Sequence, residues 1–215
     1  MPKPAHSLHN PEAGNHPLPE DPREIKAVLR ATKRCYRRHP YFARRYEQRG
    51  AAFARSDAGY LATLTTHPQS HVDDQVAWLA GVLACRGMPR WLMEEHLELL
   101  FEELSQAVPA RADDFQKLRS AAAVLRAERQ AWIRQADFEI LSANFASTAG
   151  PSLKNAGGLL VAAVCDECCG LPHSVSSLTL WLSNPERFPV KWCSAVSETL
   201  AQARALVATK KRTHP

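Results

Sequence analysis

The sequence predicts an all-α fold, a helical bundle of about eight helices. Three observations predict it. Apolar residues recur at three- and four-residue spacing along most of the chain, which is the period of a helix and not of a strand. Start and stop signals punctuate that pattern at Asp21-Pro22, Ser70-x-x-Asp73, Gly87-x-Pro89, Gly150-Pro151 and Gly170-x-Pro172. Composition agrees: only 9 Gly and 3 Ile occur in 215 residues, whereas Ala and Leu, which lose little rotamer freedom in a helix, recur throughout. A set of many medium-length helices also suggests a globin-like arrangement, by fold analogy alone.

Residues 1–20 read as a disordered Pro/His-rich tail. Pro2, Pro4, Pro11, Pro17 and Pro19 lack the donors that helices and sheets need, and His6, His9 and His16 lie between them. The first helix then opens with Asp21 as cap, Pro22 behind it and Glu24 at the third position, the pattern of a capping box. Ile25, Val28, Leu29, Thr32, Cys35 and Tyr36 form its apolar face, and His39-Pro40 ends it. A short helix around Phe42 and Tyr46 stops near Gly50, and another opens at Ser56-Asp57 and breaks at His67-Pro68. Helices from Ser70 and from Pro89 follow as an antiparallel hairpin over 71–105. The stretch 110–146 reads as one long helix or two with a bend. With the hairpin it makes the expected centre of the bundle. Further helices start at Ser152, Ser174 and Pro189. The organisation expected is therefore a tail at 1–20, a main bundle at 21–148, and C-terminal helices at 151–209 on the same core.

Composition bounds the function classes. Hydrophobic residues make up 45%, which marks a globular chain. No apolar run approaches membrane-spanning length, and the N-terminus has no apolar signal segment, so a cytoplasmic location with reduced cysteines is expected. No phosphate-binding loop, nucleophile elbow, zinc-protease motif or dinucleotide fingerprint is present, which leans against an enzyme. The ferritin-type Glu-x-x-His pair and the DDxxD acids of prenyl transfer are missing as well. Catalytic residues are expected to be none.

Three constellations remain. Lys26, Arg30, Lys33, Arg34, Arg37 and Arg38 span an arc of about 140° on the first helix, opposite its apolar face. Between Arg23 and Arg55 there are 11 Lys or Arg against 2 Glu. An acidic protein surface is the expected counterpart, either a partner's or the chain's own Glu94, Glu95, Glu98, Glu102 and Glu103, with nucleic acid as a lesser alternative. The second constellation is Cys165, Cys168, Cys169 and His173, with Cys193 from the last helix. Thiolates and imidazole suit zinc, but paired CxxC knuckles are missing, and a buried apolar face is the competing reading. The third is histidine. His96 on the Glu-rich helix is a candidate pocket ligand, for haem or another metal group. His67 and His71 stand four apart, but Pro68 and Ser70 place a helix start between them, so a surface or capping role is expected.

Together these describe a non-enzymatic interaction or regulatory protein that binds a protein partner, or itself, through charged helix faces. The alternatives are a metal- or cofactor-binding sensor and a nucleic-acid binder.

Overall fold

The computed structural model describes residues 7–150 and 152–213, with side chains through Lys210. Among the described residues the chain is wholly helical, with nine α-helices and no strand. They are α1 (Pro22–Arg38), α2 (Tyr41–Leu64), α3 (Gln69–Ala84), α4 (Arg90–Ala107), α5 (Ala112–Gln130), α6 (Gln135–Ala149), α7 (Ala156–Cys168), α8 (Ser174–Leu182) and α9 (Val190–Thr213). The 110–146 stretch is thus two helices. No described helix is long and apolar enough to cross a membrane.

The chain forms two compact units. The first comprises Met1–Val76 and Glu94–Ala123, the second Ala77–Met93 and Val124–Pro215. The division runs within α3, α4 and α5 and not at the boundary expected near residue 150.

In the first unit, α1 buries Ala27, Val28, Ala31, Thr32 and Cys35. Asp21 caps it through the backbone N–H of Arg23, 2.8 Å away. Glu24 does not close a capping box. It is buried and pairs with Arg111, in the 3-10 turn just before α5. The break between the two expected helices falls at Glu47 and not between Gly50 and Ser56: α2 is two helical stretches joined across a kink, and the second runs on through both of those residues. Its single irregularity is Glu47, at φ 51 and ψ −144, a conformation natural to glycine. The kink swings Tyr46 over Gly50. A Cβ added at Gly50 would stand 2.3 Å from Cβ of Tyr46, so glycine serves the kink and does not end the helix.

The tail reading requires correction. Residues 1–6 lie outside the described residues, but 7–20 pack on α2. Leu8 is 1% exposed, and Leu8 and Leu18 both lie over Gly59. Asn10 caps a short 3-10 turn, Pro11–Ala13, by accepting from the N–H of Glu12. Glu12 pairs with Arg49 at 2.7 Å, and the imidazole of His16 meets the hydroxyl of Ser56 at 3.0 Å. Proline blocks regular structure here, but it also stiffens the chain and so lowers the entropy lost on docking. Removing residues 1–20 is expected to lower the melting temperature, and Leu8→Ala alone to cost about 2–3 kcal/mol. Urea unfolding checks this, and an unchanged midpoint would show that the segment adds nothing.

In the second unit, α7 is buried nearly all round. It begins at Ala156, four residues later than Ser152, after Asn155 turns through the left-handed region at φ 66. Its close packing depends on adjacent glycines. A Cβ at Gly157 would lie 2.9 Å from the backbone of Ser142 on α6, and one at Gly158 2.8 Å from the Trp91 ring. Trp192 of α9 is fully buried, stacks on Phe188, and donates its indole N–H to the carbonyl of Leu182 at 2.9 Å.

Candidate functional site

The cationic face of α1 divides into two rows. Arg30, Arg34 and Arg38 recur every four residues and turn to α4. Arg30 meets Glu103 at 2.6 Å, Arg34 meets Glu102 at 2.8 Å and Glu103 at 2.9 Å, and Arg38 meets Glu95 at 2.9 Å. Partners descend along α4 as the arginines ascend α1, so the two helices run antiparallel. Burial alone would raise the Glu103 carboxyl, but hydrogen bonds from Arg30 and Arg34 outweigh it and hold the group below its ordinary value. Burial likewise opposes Glu95, and His39 and Arg38 overcome it.

Lys26, Lys33 and Arg37 form the other row, within about 40° of one another on the helical wheel. All three are exposed, and among the described residues none has an ion-pair partner. The row is about 16 Å long at the rise of an α-helix. Of the acidic residues that were expected to meet α1, Glu98 instead pairs with Arg119 of α5 at 3.4 Å, and Glu94 is buried.

A polar cluster that sequence reasoning missed lies where α1 ends. His39 is fully buried and caps α1, with its N–H on the carbonyl of Cys35. Its Nε2 stands 3.2 Å from Glu95. Burial, and then the charge of Glu95, pushes the Cys35 thiol up to about 12. The neighbouring His96 has its Nδ1 sealed from solvent with no hydrogen-bond partner. Burial, then His39, pushes its imidazole down to about 4. The sequence marked His96 and Glu95 one by one and His39-Pro40 as a helix stop, but nothing in it joined them into one cluster.

The cysteine set belongs to the second unit. Cys165 is fully buried in α7, and burial raises its thiol to about 12. Cys169 lies beyond the end of α7. Its thiol is raised by burial, an effect only partly offset by Arg90 and by a hydrogen bond with Trp132. His173 is exposed ahead of α8, and Cys193 sits on α9 near the carbonyl of Phe188. Among the described residues no three His, Cys, Asp or Glu side chains are arranged to hold a metal ion, so Cys165, Cys168, Cys169, His173 and Cys193 do not assemble the expected centre.

The unit instead holds a buried ion network. Arg90, at the start of α4, donates its backbone N–H and its Nε to the two oxygens of Asp166, each at 2.9 Å, and its guanidinium to Glu128 at 2.5 Å. Asp166 lies between Cys165 and Cys168 and was not among the candidate residues of the sequence. A charge in so apolar a helix was the signal that a partner existed. Comparison with known proteins finds no family model, no curated protein and no solved structure that matches the chain.

Proposed function

We propose that this chain is a non-enzymatic binding protein that presents Lys26, Lys33 and Arg37 to an acidic protein surface. One observation carries the reading. Three exposed cations stand in a single row without counter-ions among the described residues, on a helix whose neighbouring Arg30, Arg34 and Arg38 are clamped to α4. The clamp fixes the row, so little ordering cost remains for binding. The limited length of the row and the net charge of +5 favour a local acidic patch over a nucleic-acid backbone.

The triple variant K26E/K33E/R37E tests this with poly-L-glutamate and duplex DNA as probes. The wild type is expected to bind the polyglutamate at low salt and release it as salt screens the contact. The variant is expected to bind it about tenfold or more weakly, with an unchanged melting temperature. Tight duplex binding that falls steeply with salt would overturn the choice of partner.

A further inference from the structure

We propose that His67 and His71 form a two-imidazole site for a borderline divalent transition-metal ion, of the class of Ni2+, Cu2+ and Zn2+. Their ring centroids are 4.8 Å apart with planes inclined at 49°. With metal–nitrogen bonds of about 2.1 Å and a ligand angle of about 100°, two imidazoles on one ion hold their centroids about 5 Å apart. The free side chains therefore already stand at the separation that a shared ion requires.

The backbone explains why they meet despite the intervening proline. The N–H of His67 donates to the carbonyl of Leu64 at 2.9 Å, and that of Val72 to the carbonyl of Pro68 at 3.2 Å. The first turn of α3 is thus already wound at Pro68, with His67 immediately before it and His71 one turn on. Proline also restricts the backbone of His67, which limits the freedom lost on chelation. Both side chains are exposed, and among the described residues neither imidazole makes a hydrogen bond or an ion pair. Their ring nitrogens are available, and solvent can fill the remaining coordination positions. Imidazole selects borderline ions over Mg2+ or Ca2+, which take oxygen ligands.

Calorimetric titration of the full-length protein with Ni2+, under a non-chelating reductant, tests the site. The wild type is expected to bind one ion in the micromolar class. His67→Gln and His71→Gln should each weaken that binding about tenfold or more, since either leaves a single imidazole. Because the side chains are exposed, both variants are expected to keep the wild-type circular dichroism and melting temperature. Ni2+ should raise the melting temperature of the wild type but not of the variants. No Ni2+ binding by the wild type, or a loss below tenfold in either variant, would overturn the assignment.

Discussion

Replacing Asp166 by alanine is expected to destabilise the protein by about 3–5 kcal/mol, the usual cost of breaking a buried ion pair from one side. Asp166 is 2% exposed and Arg90 8%. The variant would leave a buried guanidinium facing the Cys169 thiol and Glu128, whose side chain is 46% exposed. It would also remove the acceptor for the backbone N–H of Arg90, one of the orphan donors at the start of α4. A loss of that size is a large share of the 5–15 kcal/mol that ordinarily holds a domain together. Asp166→Asn keeps an acceptor of the same shape and should lose less. Pairing Asp166→Leu with Arg90→Met should recover much of the loss, because apolar replacement of both partners removes the desolvation cost with the charges. Urea midpoints for the singles and the double complete a mutant cycle. A loss under about 1 kcal/mol for Asp166→Ala would show that the guanidinium finds other compensation.

This network shows where the sequence was legible and where it was not. Local pattern was readable. The cap at Asp21, the stop at His39 and the apolar stripe of α1 all follow from residues within a turn or two of one another. The match between the α1 arginines and the α4 glutamates was readable too, because two amphipathic helices of opposite charge have few better places to put it. What could not be read depends on docking. The pairing of Arg90 with Asp166 spans 76 residues, and nothing in the text of either segment names the other. Leu8 and Leu18 sit among prolines that argue for an unstructured tail, and only the groove at Gly59 makes them core residues. The kink at Glu47 carries no proline or glycine of its own. Its mark is Gly50, three residues on, which read as a helix stop. His67 and His71 fall on either side of a helix-start signal, and whether such a pair meets depends on which residue winds the first turn.

Acid is expected to weaken the first unit before its carboxylates titrate. The responsible group is His96, held neutral by burial and by the proximity of His39, which lower its pKa from the ordinary 6.5 to about 4. Its sealed Nδ1 has no acceptor to welcome a proton. In the unfolded chain the same imidazole takes up a proton near pH 6.5, so the unfolded state binds more protons at every pH between the two values. Stability is therefore complete above pH 6.5, falls as pH drops through this window, and levels near pH 4. The shift bounds the loss at about 3 kcal/mol, less to the extent that solvent reaches the ring. Glu95 and Glu103 act lower on the scale, since their ion pairs hold both carboxyls below the ordinary 4.5. The interval between pH 6.5 and 4.5 isolates the histidine from them. Denaturant unfolding across that interval should show the wild type losing stability, whereas His96→Leu, with no proton to take up, should lose about one proton's worth less. A parallel pH dependence in the two proteins would mean that His96 is protonated as readily in the folded state as in the unfolded one.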